Sequence, residues 1–288
     1  VLGYYAPYMS WAWFLGLAYV VGAVIHSALY LATHEVTHNL AFKSPLANDL
    51  FAMFINFPIV APYAMMFKTY HADHHRYLGW DGIDVDVPAD LEARLLSNFP
   101  GKLFFLFFQI LFYTGRPMMV RRFKWEWKHY MNYATMLSIH AWIAYSYSYW
   151  STLYWLLSGF CAGSLHPLAG HFLAEHYLFD DATDQETFSY YGPWNYFTFN
   201  GGYHVEHHDF PHIPWTRIDQ VRKIAPEYYD NLKTVDSWGM LLIRFLFNPK
   251  VSSYSRIKRE KGAWKRKVLL PTTEGSGAVL SYKDAVEQ

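Results

Sequence analysis

Residues 202–208 read Gly-Tyr-His-Val-Glu-His-His, and residues 71–75 read His-Ala-Asp-His-His with the same histidine spacing. On a helix, positions i, i+3 and i+4 fall on one face, so the three imidazoles of each motif can aim at a single point. A further pair, His34 and His38, has the i, i+4 spacing of the same pattern. Together these histidines are too many for one four-coordinate metal ion. The eight histidines are His34, His38, His71, His74, His75, His204, His207 and His208.

The type of ligand narrows the choice of metal. Neutral imidazole suits zinc, copper, iron and nickel. A site with nitrogen ligands only, no thiolate and more than six candidate ligands favours two octahedral ions, and we predict two iron ions. Histidines scattered over the surface or the core are the alternative interpretation. That alternative could explain one motif, but it does not account for three clusters in one chain.

The composition is that of a membrane protein with a substantial water-facing part. Hydrophobic residues make up 52% of the 288 residues and aromatic residues 20%, against 17% charged residues. The formal net charge is zero, so the chain lacks the basic footprint of a nucleic-acid-binding protein. Its one cysteine, Cys161, rules out an internal disulfide.

The first apolar stretch is long enough to cross a membrane. Residues 11–33 contain no Asp, Glu, Lys or Arg. A helix that rises about 1.5 Å per residue over this length spans a hydrocarbon core of roughly 30 Å. It carries His34 and His38 to one membrane surface. His26 lies inside the stretch, and we interpret it as a neutral histidine hydrogen-bonded to other helices, with a functional role as the alternative.

The second apolar stretch, residues 50–67, reaches the minimum length for a crossing. Pro58 and Pro62 interrupt it, and proline breaks a helix interior. A crossing here would put the second histidine motif on the wrong side, because all ligands of one site must share a side. We therefore predict a broken segment that does not cross the membrane.

The third apolar stretch, residues 131–174, also lacks Asp, Glu, Lys and Arg. Its length predicts two crossings, at residues 131–149 and 152–173, with a turn at Trp150 and Ser151. Two crossings return the chain to the side that it left. All histidine motifs then lie on one side of the membrane.

Four further segments are predicted to lie outside the membrane crossings. Residues 103–114 are apolar but too short to cross, and basic and tryptophan residues typical of an interface follow them. The loop at 79–88 holds three carboxylates without the spacing of a calcium loop, so we predict a solvated turn. The basic run at 256–267 predicts a solvated, lipid-attracted tail, with a docking surface for an acidic partner as the alternative. Residues 271–288 are small and polar, which predicts a disordered C-terminal tail. Residues 1–270 are predicted to form a single domain.

One HxxxH box and two HxxHH boxes in this order resemble the signature of the membrane fatty-acid desaturase superfamily. Within it, three segments are similar to the sphingolipid 4-desaturases: HADHHRYLGWDGIDVD at 71–86, GHFLAEHY at 170–177 and YYGPWNYFTFNGGYHVEHHDFP at 190–211. The resemblance implies a helical membrane bundle under a cytosolic cap. It also implies insertion of a trans double bond between carbons 4 and 5 of the sphinganine backbone of dihydroceramide.

The same resemblance implies where the protein works and with which partners. Electrons would come from NADH through a reductase and cytochrome b5, in the endoplasmic reticulum membrane, with the site on the cytosolic face. The family's N-terminal extension and first transmembrane helix are expected to lie outside this chain, which begins at Val1. Nine iron ligands carry over, namely the eight histidines above and His176.

Three histidines near the end of the last predicted crossing compete for the ninth place. His166 precedes Pro167, which biases it away from helical geometry. His171 and His176 are five residues apart, so they point roughly 140° apart on a helix and cannot easily face one ion. His176 belongs to the Glu-His-Tyr triplet that the resembled family uses for its extra ligand. Of these three histidines, we predict that only His176 binds metal.

Each histidine cluster also holds a carboxylate, and a ligating imidazole usually donates its second N–H to such a group. We predict that these carboxylates serve histidines of other clusters, with plain surface exposure as the alternative. They are Glu35, Asp73, Glu206 and, beside His176, Glu175.

Two other functions stay open. A sphingolipid carbon-4 hydroxylase, or a dual desaturase and hydroxylase, would begin with the same hydrogen abstraction and use the same ligands. A non-enzymatic membrane protein that binds zinc is the alternative of another class. A zinc site needs only about four ligands, which argues against it.

Overall fold

The computed structural model describes residues 1–120, 124–179 and 185–259. All regular elements within these ranges are helices, beside two isolated bridges, in agreement with the predicted all-α fold. The main helices are α1 (Trp11–Thr37), α2 (Pro45–Asn56), α3 (Ala64–Arg76), α4 (Asp90–Leu96), α5 (Phe99–Val120), α6 (Trp127–Ile143), α7 (Tyr149–Ala162), α8 (His171–Ala174), α9 (His204–Asp209), α10 (Ile218–Ile224), α11 (Pro226–Tyr229) and α12 (Trp238–Phe247).

The long helix α1 contains the predicted crossing at residues 11–33. It has 27 residues and includes one π-helical turn at Ala18–Gly22. Gly22 allows α7 to approach closely, since a Cβ at this position would lie 2.2 Å from Ser158 Oγ. Small residues at such contacts are typical of packed membrane helices. The last turns of α1 carry His34, and His38 follows directly.

The helices α2 and α3 form a bent pair whose directions differ by 114°. Pro58 lies in the short 3₁₀ turn between them, and the next residue but one, Val60, has a φ of 69°. The Asn56 side chain donates to Ala61 O at 2.7 Å and accepts from the Ala64 N–H at 3.1 Å. The predicted break in residues 50–67 is confirmed. That the pair does not cross the membrane stays a prediction.

Two buried histidines from neighbouring helices hold this break. His26 Nε2 on α1 lies 2.9 Å from Pro58 O, and His140 Nε2 on α6 lies 2.8 Å from Phe57 O. Carbonyl groups at the end of a helix lack partners within the helix, and the imidazoles supply them. The interpretation of His26 as a hydrogen-bonded histidine is confirmed.

The helices α6 and α7 meet close to the predicted turn. A π-helical segment extends α6 to Ser148, whose backbone is extended and whose Oγ accepts a hydrogen bond from the Trp150 N–H at 3.2 Å. The helix predicted to run to residue 173 ends instead at Ala162, and a loop containing Pro167 follows. Proline disfavours a helical conformation at the residue before it, so the helix could not have continued past His166, whose backbone is extended. Membrane crossing by α6 and α7 stays a prediction.

The helix α5 is longer than the sequence indicated. It has 22 residues with a kink at the non-helical Phe108, and its whole length and composition would allow a crossing that the apolar part at 103–114 alone would not. Its buried cationic ends contact other segments. Lys102 Nζ donates to Asn248 O at 2.8 Å, and Arg116 Nε donates to Glu92 at 2.9 Å. Among the described residues, α1 and α5 have the length and composition to cross a membrane, and the bent pair is a third candidate.

Two parts of the chain cover the histidine-bearing ends of α1 and α3. We call the described residues of 77–98 and 163–259 the cap. The core of the cap packs α12 against α5, with Phe105, Tyr177 and Phe245 fully buried. Ser237 caps α12 by accepting the Met240 N–H at 3.3 Å.

The last described residues belong to the cap, which corrects the prediction of a solvated basic tail. Arg256 is buried and donates to Asp86 O at 2.8 Å. Arg259 donates to Leu78 O at 2.8 Å and pairs with Glu186 at 2.7 Å. The partners of these cations are carbonyl and carboxylate groups that lie far away in the sequence and come close only in the folded chain. The rest of the basic run, from residue 260, and the predicted tail at 271–288 lie outside the described residues.

Candidate metal centre

All nine histidines predicted from the sequence meet where the cap contacts the ends of α1 and α3, in two groups. The candidate ligand atoms within each group lie within 4.8 Å of one another. Group A consists of His34, His38, His71, His75 and His207. Group B consists of His74, His176, His204 and His208.

Each HxxHH motif is divided between the two groups. On α3 the first and last histidines belong to group A and His74 belongs to group B. On α9 the assignment is reversed, because His207 belongs to group A and its two motif partners to group B. The prediction that one motif converges on a single point was therefore wrong. Positions i+3 and i+4 point about 100° apart, which is wide enough to serve two ions.

The nitrogens within a group are spaced like ligands of a shared metal. His71 Nε2 lies 3.0 Å from Nε2 of both His38 and His75, and His176 Nε2 lies 3.0 Å from His204 Nε2. Ligands about 2.1 Å from a metal stand roughly 3.0 Å apart at neighbouring octahedral corners and roughly 3.4 Å apart at tetrahedral corners. A neutral imidazole carries one N–H, so a hydrogen-bond chain does not explain nitrogens that meet two neighbours.

Burial favours the neutral, metal-binding form of several of these imidazoles, whereas Asp84 and Asp86 outweigh burial at His74 and raise its pKa. Burial lowers the pKa of His176, His204, His207 and His208, and nearby positive groups lower the pKa values further. A metal ion competes with a proton for the same nitrogen. The low pKa values therefore favour metal binding at neutral pH.

Asp84 orients one of the histidines. It is fully buried, and its Oδ1 lies 3.0 Å from His74 Nδ1. The Gly79 N–H donates to Oδ2 at 2.7 Å, and the Asp86 N–H donates to Oδ1 at 3.0 Å. A carboxylate on the second nitrogen fixes the tautomer of the imidazole and its orientation. Burial alone would raise the pKa of Asp84, but the interaction with His74 outweighs it and holds the pKa well below its usual range.

Sequence reasoning missed Asp84 because it treated the loop at 79–88 as a solvated turn. The loop is packed, with Ile83, Val85 and Val87 buried. These apolar residues alternate with acidic ones, and this alternation is the signal that could have revealed a packed segment. Gly79 begins the loop with a φ of 74°, a conformation that glycine adopts readily.

Two of the predicted carboxylates have partners in the cap instead of histidines. Glu35 Oε1 accepts the Trp215 N–H at 3.0 Å. Glu206 is fully buried and accepts hydrogen bonds from Ser189 at 2.7 Å and Tyr191 at 2.8 Å. The prediction of histidine partners was wrong for both. A residue beside a ligand points away from the metal, and the cap supplies donors there.

His166 and His171 stay outside both groups. His166 Nδ1 accepts the Leu168 N–H at 3.2 Å, and His171 Nδ1 lies 2.7 Å from Leu168 O. Of the three histidines compared in this region, His176 alone reaches a group. Its Nδ1 lies 3.2 Å from Glu186 O, which favours a tautomer with Nε2 free for a metal.

A cavity of about 350 Å³ borders both histidine groups. Histidines of group A and group B line it together with apolar side chains of α5 and α7, among them Leu111, Leu156 and Phe160. Glu175 also lines it, 3.9 Å from His204 Nδ1, and burial raises the pKa of Glu175 to about 8. The remaining predicted carboxylate, Asp73, is partly buried on α3. An apolar cavity beside the two histidine groups is suited to an aliphatic chain.

Comparison with known proteins gives the family. The sequence model of the fatty acid desaturase family matches residues 10–256. A sphingolipid delta(4)-desaturase of Schizosaccharomyces pombe is 45% identical over 264 residues, which cover 88% of this chain and 72% of the relative. The sphingolipid delta(4)-desaturase DES1 of Xenopus tropicalis is 44% identical over 254 residues, covering 88% of this chain and 78% of the relative.

A third relative has a double name. The sphingolipid delta(4)-desaturase/C4-monooxygenase DES2 of Rattus norvegicus is 45% identical over 254 residues, covering 88% of this chain and 78% of the relative. No solved structure gives a significant match. The extent of these matches, over a chain whose histidines gather beside an apolar cavity, establishes that this membrane protein belongs to the fatty acid desaturase family, among its sphingolipid delta(4)-desaturases.

Proposed function

We propose that the chain introduces a trans 4,5 double bond into the sphinganine backbone of dihydroceramide and so produces ceramide. One observation carries the proposal: both histidine groups border the same apolar cavity. An aliphatic chain in that cavity would lie against both metal positions at once. The names of the relatives supply the substrate class.

We further propose that each histidine group holds one iron ion. Group A would use His34, His38, His71, His75 and His207, and group B would use His74, His176, His204 and His208. The nitrogen spacing near 3.0 Å supports octahedral ions, and imidazole suits iron. A bound iron pair supplies the oxygen chemistry that removes hydrogen from an unactivated C–H bond.

The chain's own residues bind the substrate and orient the metal ligands. Apolar side chains of α5 and α7 hold the aliphatic chain and exclude water from the histidine groups. Asp84 keeps His74 in the tautomer that binds metal. The protein thus positions the substrate and excludes water from the reaction site.

The proposed setting is the endoplasmic reticulum membrane, with the histidine groups on the cytosolic face. Electrons would come from NADH through a reductase and cytochrome b5. The family membership supports this chain of donors. The purified protein should show no flavin absorbance and no turnover with NADH alone. Turnover should return when the reductase and cytochrome b5 are added, and NADH-driven turnover without them would contradict the proposed partners.

Product analysis by mass spectrometry with dihydroceramide tests the proposed reaction. Desaturation removes two hydrogen atoms, whereas hydroxylation at carbon 4 adds one oxygen atom. Carbon-4 hydroxylation is the second candidate, because the rat relative carries both activities in its name. Metal analysis separates the third possibility, since a non-enzymatic zinc protein would hold one zinc ion instead of two irons. The absence of either product with all partners present would overturn the proposal.

A further inference from the structure

Glu175 is an acidic side chain that faces the cavity without a hydrogen bond from the described residues. Its side chain is 19% exposed, and it belongs to the cavity lining. The Nδ1 of His204 is 3.9 Å from its Oε1, which is beyond hydrogen-bond distance. An enclosed carboxylate without a donor is unfavourable. An occupant that displaces water from this part of the cavity should therefore bring a donor of its own.

Some other polar groups of the cavity have partners, whereas the buried Tyr63 hydroxyl in the lining has none among the described residues. The hydroxyl groups of Tyr30 and Tyr113 donate to backbone carbonyls, at 3.1 Å and 3.2 Å. The Asp86 carboxylate lies 3.6 Å from His74 Nδ1, on the side of group B. Asp86 and Glu175 are thus the two carboxylates among the described lining residues, and Glu175 is the one beside His204.

The position of Glu175 restricts where the donor sits on the substrate. One imidazole ring, that of His204, separates its carboxylate from the metal position of group B. A donor that reaches Glu175 must therefore lie within a few bonds of the carbon that reacts. A plain acyl chain has no donor near a reacting methylene. A long-chain base has a hydroxyl group on carbon 3, directly beside carbon 4.

We propose that Glu175 accepts a hydrogen bond from the carbon-3 hydroxyl of a long-chain-base substrate and thereby sets which carbons face the two histidine groups. This inference rests on the proposed function. Glu175 is then the residue by which the chain distinguishes a sphingolipid from a simple fatty acyl chain. When the carbon-3 hydroxyl is held at this position, carbons 4 and 5 are the next carbons of the chain and lie closest to the histidine groups.

The test compares dihydroceramide with its 3-deoxy analogue. Iron-loaded protein is assayed with reductase and cytochrome b5 for kcat/KM on both compounds, and both compounds are also used to displace a fluorescent dihydroceramide without turnover. The wild-type protein should favour the hydroxylated compound by about tenfold in both measurements, as expected when loss of a buried hydrogen bond leaves its acceptor unpaired. Glu175→Ala should bring both ratios close to one, and Glu175→Gln, which keeps an acceptor oxygen, should retain part of the preference.

Leu156→Ala is the matched control in the apolar part of the lining. It should weaken the binding of both compounds equally and leave the ratio unchanged. An unchanged ratio in Glu175→Ala would overturn the inference, as would a loss of iron in both Glu175 variants, which would assign the residue to the support of His204. If the wild type binds but does not convert dihydroceramide, the proposed function fails, while the displacement ratios still decide the role of Glu175.

Discussion

The Nε2 atoms of His75 and His207 lie 3.1 Å apart, although 132 residues separate them in the sequence. His75 lies on the last turn of α3, and His207 lies on α9 in the cap. Group B makes a similar connection, with His74 Nε2 3.1 Å from His176 Nε2. Ions held between such pairs would join the cap to the helical bundle. Bound metal is therefore expected to stabilise the folded chain.

Substitution of one histidine from each group should separate the two metals. In His75→Ala and in His204→Ala, the iron content should fall from two ions to about one per chain, since each change removes a ligand from one group only. Product formation should be lost in both variants. Metal analysis of the purified proteins, with circular dichroism as the check of folding, provides the measurement. Loss of both ions from either variant would show that the groups do not bind independently.

The histidines near α8 provide a matched comparison. His176→Ala should lose much of the iron of group B and all product, because this residue alone of the three reaches a group. His166→Ala and His171→Ala should keep both irons, even where turnover falls. Iron content is again measured on folded protein. Full iron occupancy in His176→Ala would contradict the ligand assignment.

Asp84→Asn tests the orienting carboxylate. The change keeps the size of the side chain but removes the charge beside His74 Nδ1, and we expect the iron affinity of group B to fall about 10- to 100-fold. Competition with a chelator measures this affinity. Asp81→Asn is the control on the same loop, because Asp81 is only partly buried and pairs with Lys258 at 3.4 Å. Equal losses in the two variants would argue against a specific role for Asp84.

Arg256→Ala tests whether the last described segment stabilises the cap. The buried guanidinium donates to Asp86 O and lies 5.6 Å from the Tyr177 ring centroid. Its loss should lower the free energy of unfolding by about 2 kcal/mol. Lys258→Ala removes an exposed ion pair with Asp90 and should change the free energy by about 0 to 1 kcal/mol. Denaturant unfolding in detergent compares the two, and an equal effect would contradict the packed role of Arg256.

Tags at two positions test the membrane topology. A tag in the loop near Asp90 and a tag after Thr272 should both be cytosolic, because all histidine motifs must lie on one side. Protease protection in sealed microsomes reports the side of each tag. A lumenal signal near Asp90 would mean that the bent pair of α2 and α3 crosses the membrane. A lumenal signal after Thr272 alone would mean that α5, α6 and α7 cross an odd number of times between them.

Much of the site could be predicted from local patterns. The i, i+3, i+4 spacing identified the candidate histidines, and the absence of charge over residues 11–33 identified α1. Pro58 marked the break between α2 and α3, since proline removes a backbone donor wherever it stands. The length of α5 was harder to predict, because Arg116 near its end finds a buried partner, Glu92, that lies 24 residues away in the sequence.

The sequence by itself determined the identity of the nine histidines, the all-α class and the family, because these depend on residue type and spacing along the chain. The tertiary structure alone decided how each motif is divided between two groups, the partnership of Asp84 with His74 and the burial of Arg256. The side chains of a helix point in a range of directions. Which of them contacts a partner depends on the elements that pack opposite the helix. Charged groups behave in the same way: whether a carboxylate or a guanidinium faces water or a buried partner depends on segments distant in sequence, and no local pattern encodes them.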